Sequence, residues 1–239
     1  MRRLMLQVML TTAIMAATAA TASAQPAAPS AADAGTTTTA AMTPREFLAR
    51  VEQKNAALTT LVAEFEQVRE DPLWMDTVRS TGKFWYQSPG LFRASYKSEN
   101  DTEIWITPDR MVTYTPAIKQ VDILGIPQGD KAPINQLLLG FGVKVAEIEK
   151  IFTMQPADPA EPGDYSIRFN SRDLSRSLQF RTITIHFNPA TLEPRVLVLE
   201  DDQSVITMTL RRVQQNIAVD PALFEQRWPA GTEVIDHRQ

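Results

Sequence analysis

Between residues 61 and 124 the chain repeats one device: a short run with apolar side chains at alternate positions, then a turn dipeptide, then another such run. In the first run Leu61, Ala63 and Phe65 alternate with Val62, Glu64 and Glu66. Further runs follow at 81–87 (TGKFWYQ), 91–97 (LFRASYK), 102–107 (TEIWIT), 110–115 and 119–124, with Pro-Gly, Asn-Asp, Pro-Asp and Pro-Ala in the later gaps. A period of two sends successive side chains to opposite faces, so each run reads as a strand with one buried face. Gaps of a few residues are too short for crossovers and dictate antiparallel hairpins.

A helix precedes these strands, announced by Thr43 as N-cap, Pro44 at the first helical position and Glu46 completing a capping box. Its apolar side is Phe47, Leu48, Val51 and Leu58, with Arg45, Glu52 and Lys54 toward water. Two further short helices are predicted. Residues 133–141 place Ile134, Leu137, Leu138 and Phe141 at helical spacing before Gly140 and Gly142 end the pattern, and residues 144–152 place Ile148, Ile151 and Phe152 on one side. After a proline-rich loop at 156–163, strands resume at 165–170, 180–187, 195–200 and 205–213. With no internal repeat and no second linker, residues 43–239 read as a single domain.

One antiparallel sheet with so many strands cannot be covered by a few short helices unless it curls. The expected fold is mainly β with short helices (α+β): a strongly curled sheet, or incomplete antiparallel β-barrel, with helices over its concave apolar face. Periodicity alone leaves open whether that concavity holds only the chain's own helices or also a ligand.

Arg2 and Arg3, the uncharged run from Leu4 to Ala20 and the small-residue site Ala22-Ser23-Ala24 read as a cleaved secretory signal peptide, residues 1–24. Residues 25–42, rich in Ala, Thr and Pro, read as a disordered linker. Losing residues 1–24 removes two arginines and takes the net charge from −4 to −6, which argues against nucleic acid as a partner. The chain has no cysteine, so disulfides, thiol chemistry and thiolate metal sites are excluded. A lipid anchor on a cysteine after the signal peptide is excluded with them, and a soluble exported monomer is expected.

Catalytic groups are sparse. His186 alternates with Ile185 and Phe187 and is expected to point outward from its strand, while His237 lies near the C-terminus. Glu200-Asp201-Asp202 sits between two period-two runs, as a solvated hairpin turn would. No catalytic residue, cofactor or metal ligand set is assigned.

Read in order, several segments resemble the LolA-type periplasmic carriers of outer-membrane lipoproteins. They are the N-terminal amphipathic helix, "LVAEFEQ", "SPGLFRASY", "WITPDRMVTYTPAIKQV" and the meander from "LEPRVLVLEDDQ" through "VDPALFEQRWPAGTEVID". The resemblance implies a cavity for acyl chains of lipoproteins or related lipids, lined by Phe47, Val51, Phe65, Phe84, Tyr86, Phe92, Tyr96, Ile104 and Ile106. It also implies a helical lid carrying Ile134, Leu137, Leu138 and Phe141. Cargo would come from an inner-membrane ABC transporter and pass to an outer-membrane receptor. An alternative on the same fold is a periplasmic lipid-sensing regulatory or binding module. Where many such carriers have an Arg that closes the lid, this chain has Ser88, and Arg79 or Arg93 is the expected substitute; Ala94 stands where some members have an aromatic.

Overall fold

The computed structural model describes residues 42–97, 101–126, 144–172 and 180–238. Helix α1 (Pro44–Asn55) begins as its sequence dictates: Glu46 N–H donates to Thr43 Oγ1 at 3.3 Å, and Thr43 N–H donates back to Glu46 Oε2 at 2.8 Å. Among the described residues twelve strands follow in one sheet: β1 (Thr60–Asp71), β2 (Asp76–Gln87), β3 (Leu91–Lys97), β4 (Thr102–Ile106), β5 (Arg110–Thr115), β6 (Gln120–Gly125), β7 (Phe152–Pro156), β8 (Tyr165–Ser171), β9 (Thr182–Asn188), β10 (Glu193–Glu200), β11 (Val205–Gln215) and β12 (Glu233–Asp236). A one-turn helix, α2 (Val145–Ile148), precedes β7.

The strand order is β12-β6-β5-β4-β3-β2-β1-β11-β10-β9-β8-β7. Every neighbouring pair is antiparallel except β12 with β6. The sheet is curled and open, an incomplete barrel with β7 and β12 at its edges, as the succession of hairpins predicts. The pairing of β1 with β11 joins the two meanders across most of the sequence, and a bulge at Val62/Glu64 shifts the register there.

Two expectations need correcting, and one strand was not anticipated. The helix expected over 144–152 spans only Val145–Ile148; Phe152 opens β7. Ile148, Ile151 and Phe152 are all fully buried, so the run has a strong apolar signal, but its period is ambiguous in so short a stretch. Strand β2 starts at Asp76 rather than 81, because pairing with β1 carries a polar ladder past the last buried residue. Strand β12 had no sequence signal as a strand: its Val234 is exposed, and it exists because parallel pairing with β6 is available.

The helix packs on the concave face over β7–β9. Phe47, Leu48 and Val51 are buried there, with Phe47 stacked on Tyr165 at a centroid distance of 4.0 Å and tilted against Phe187 at 5.3 Å. Glu52 Oε2 accepts from Val145 N–H at 3.1 Å and ties α1 to α2.

The outer face is also covered in two places. The stretch between β11 and β12 crosses outside β3–β6, where Trp105, Val112 and Val121 are buried and Tyr114, Ile123 and Trp228 pack on them. Loop 156–163 lies over the outer face of β8–β9: Ala160 N–H donates to His186 Nδ1 at 3.2 Å, and Ser166 Oγ lies 2.7 Å from the same nitrogen. His186 thus points outward as its alternation requires, yet it is buried, and that burial holds its pKa below the usual imidazole value.

Candidate functional site

The concave face can be read from the strand registers. Leu61, Tyr86, Phe92, Ile106, Met111 and Leu124 form one row across β1 to β6. Next to it lies Ala63, Phe84, Ala94, Ile104, Thr113 and Asp122, and next again Phe65, Gly82, Tyr96 and Thr102. Cross-strand neighbours share a face, so a wall of aliphatic and aromatic side chains lines this side for six strands.

All the residues assigned to the concave face from sequence fall in one apolar cluster, but in two different states. Phe47, Val51, Phe65, Phe84 and Ile104 are buried within it. Tyr86, Phe92, Tyr96 and Ile106 are only partly buried and pack on its edge, joined there by Met111, which the sequence reading omitted. Met111 was missed because its strand, Arg110–Thr115, alternates too weakly to assign a face without its partners.

Aromatic contacts fix the middle of the wall. Phe65 meets Tyr96 edge-on at 4.8 Å and Phe84 at 6.4 Å, and Phe84 meets Phe92 at 5.7 Å. The Phe65 ring occupies the space over Gly82, where a Cβ would lie 2.3 Å from Phe65 Cζ and 2.4 Å from the Ser95 carbonyl oxygen. Burial lifts the Tyr96 phenol from 10.0 to about 12, so this hydroxyl is neutral throughout the physiological range.

The second row turns polar where it reaches β5 and β6. Asp122 accepts from Gln120 Nε2 at 2.8 Å and sits 3.1 Å from His237 Nε2, while the buried Thr113 hydroxyl has no hydrogen-bond partner among the described residues. The apolar wall therefore has a polar margin next to β12.

Arg93 is not part of this face. It is out of phase with Phe92 and Ala94, and its guanidinium lies on the outside, 5.4 Å from the ring centroids of both Trp85 and Trp105. It donates to Glu103 Oε2 through Nε at 3.2 Å and Nη2 at 2.9 Å, and through Nη1 to the Leu223 carbonyl at 3.3 Å. Expecting it to replace a lid-closing Arg is therefore corrected by strand parity. Arg79 is exposed and alternates with the inward Val78, so it also faces out. Ser88 is exposed in the β2–β3 turn, with its N–H donating to the Thr59 carbonyl at 2.8 Å. The expected lid residues Ile134, Leu137, Leu138 and Phe141 lie outside the described residues.

Two clefts lie on the outer side of the sheet. One of about 400 Å³ lies outside β8–β10 between Gln155, Asp158, Arg168, Thr184, His186 and Glu200; another of about 270 Å³ lies outside β1, β2 and β11 between Glu64, Lys83 and Arg212. Both linings carry charged side chains, which are unfavourable beside an acyl chain. Glu200-Asp201-Asp202 forms the β10–β11 turn, in which Asp201 Oδ1 accepts from the N–H groups of Gln203 and Ser204 at 2.7 Å each. Among the described residues no helix is long and apolar enough to cross a membrane.

Residues 56–227 match the model of the family described as outer membrane lipoprotein carrier protein LolA. An outer-membrane lipoprotein carrier protein of Alkalilimnicola ehrlichii is 25% identical over 186 residues, covering 75% of this chain and 78% of the relative. One from Methylococcus capsulatus is 27% identical over 180 residues, covering 75% and 82%. In fold, the chain is similar to an uncharacterized conserved protein from Thermus thermophilus, with a TM-score of 0.52, 13% identity and coverage of 81% of this chain and 98% of that one.

Proposed function

The chain belongs to the LolA family of outer membrane lipoprotein carrier proteins, and on that premise we propose that it is an exported, non-enzymatic carrier. It shelters the acyl chains of lipoproteins, or of related lipids, against the concave face and moves them between membranes. Residues 1–24 direct export, an inner-membrane transporter supplies the cargo and an outer-membrane receptor accepts it. The names of its relatives support the cargo class.

The observation that carries the reading is a contrast within the concave face, where one apolar row stays partly open beside the buried Phe84, Ala94 and Ile104. Under α1 the apolar residues are sealed: Phe47, Leu48, Val51, Ile167, Ile185 and Phe187 are each at most 1% exposed. On β2–β5 the row Tyr86, Phe92, Ile106 and Met111 is equally apolar but only partly covered. Each methylene taken out of water is worth about 0.8 kcal/mol, so an acyl chain crossing an aqueous space needs such a wall.

The test is Phe92→Glu, studied by thermal melting and by binding of a fluorescent fatty acid on the same sample. A carboxylate among acyl chains is unpaired and disfavoured, so binding falls sharply while the fold persists with modest destabilisation. A folded variant that binds as well as wild type would overturn the role given to Phe92. Unfolding would assign Phe92 to the core, and the milder Ile106→Asn then carries the same test.

A further inference from the structure

Strands β1 and β2 pair to their last residues, Asp71 with Asp76, beyond the last described pairing with either neighbour: β11 ends its match at Glu70 and β3 at Thr81. The projecting turn carries Leu73, Trp74 and Met75, which are 73%, 57% and 93% exposed. Val78, next on the hairpin, is 40% exposed. The other exposed large apolar residues among those described, such as Ile118 and Val234, stand singly. Hairpin tips ordinarily carry Gly, Asn or Asp, and Met75 has a φ of 51°, a backbone state that favours those residues. The Asp71 carboxylate and carbonyl brace the turn by accepting from Trp74 N–H at 3.4 and 3.3 Å, with Leu73 N–H donating to the same carboxylate at 3.2 Å. The turn is thus built to hold three large apolar side chains in water.

We infer that this tip docks into the interfacial layer of a lipid bilayer with an uncharged or zwitterionic surface. Area argues for lipid over protein. Three side chains on one turn offer at most a few hundred Å², well short of the roughly 800 Å² per partner of a stable protein interface. A bilayer needs only a wedge that enters to a depth of about 5–10 Å, and Trp with aliphatic neighbours is the composition that settles there. Charge sets the kind of surface: Glu70, Asp71 and Asp76 outnumber the exposed Arg79 and Arg69, which already lies 3.9 Å from Asp71, so the tip is net acidic and does not attract anionic lipid.

The hairpin's inner side continues into the concave face. Val78 is in register with Arg69 and, through it, with Ile206; Met208 follows one step in, and Phe65 beyond it. A docked tip holds the end of the apolar wall against the membrane, where an acyl chain can leave without crossing water. This purpose rests on the carrier reading; docking itself does not.

The experiment uses vesicles of phosphatidylcholine carrying brominated acyl chains, with emission of Trp74 isolated by difference against Trp74→Phe. Wild type should show quenched, blue-shifted Trp74 emission and float with the vesicles, with no loss on adding salt. Leu73→Ser/Met75→Ser should lower partitioning by on the order of tenfold while leaving melting and fatty-acid binding unchanged, because neither side chain is packed. Unquenched Trp74 in wild type overturns the inference, as does binding that requires anionic lipid or survives the double substitution. Failure of wild type to bind fatty acid while Trp74 is quenched defeats the carrier reading and leaves docking standing.

Discussion

Arg93 and Trp105 are cross-strand partners on β3 and β4, and the guanidinium carbon of one lies 5.4 Å from the ring centroid of the other on the outer face of the sheet. Trp85 flanks the same guanidinium at 5.4 Å, and both Arg93 and Trp105, through its Nε1–H, donate to the Leu223 carbonyl at 3.3 Å. One arginine thus bonds the crossing C-terminal segment to the back of the apolar wall.

Arg93→Lys keeps the charge but loses the planar fork and the stacking, and it should lower stability by about 1–2 kcal/mol. Fatty-acid binding by the folded variant should match wild type. Denaturant unfolding beside a binding titration checks both; unchanged stability with faster cargo loss would instead return Arg93 to closing the concave face.

Gly82→Ala should cost about 1–3 kcal/mol, since the new methyl meets a ring and a backbone carbonyl at once. Adding Phe65→Leu removes only the ring conflict, so rescue should be partial. Thermal melting of the single and double variants measures this, and full rescue would show that the Ser95 carbonyl yields freely.

Tyr96 gives the protein an alkaline limit. Its folded pKa of about 12 lies above the unfolded value near 10, so between those values the unfolded chain releases a proton that the folded chain keeps, and stability falls as pH rises. The loss should reach about 2–3 kcal/mol by pH 12 and disappear in Tyr96→Phe. Denaturant midpoints from pH 9 to 12 for both proteins provide the check.

Phe47→Ala should cost about 3–5 kcal/mol, as expected for a fully buried aromatic, and shift the melting temperature far more than it shifts binding measured well below the melt. Phe92→Glu should show the opposite balance. If the two variants behave alike, the distinction between the sealed residues under α1 and the partly covered row of Phe92 fails.

The sequence by itself determined the local elements. Thr43, Pro44 and Glu46 set the start of α1 because a capping box is satisfied within four residues, and alternation set strands such as Leu91–Lys97 because a side chain's face follows from its parity alone. Phe65, Phe84, Phe92 and Ile104, which the family resemblance puts around one cavity, share a single face in the strand registers. Only the tertiary structure decided which rows of that side are sealed: α1 buries the part over β7–β9, where Phe47 reaches Tyr165 and Phe187, more than a hundred residues away, while the row Tyr86, Phe92, Ile106 and Met111 stays partly covered. Strand β12 and the stacking of Arg93 were equally out of reach of the sequence. Both depend on the chain crossing the outer face after β11, a path set by the apolar surface of Trp105, Val112 and Val121 and by no local pattern in the residues that cover it.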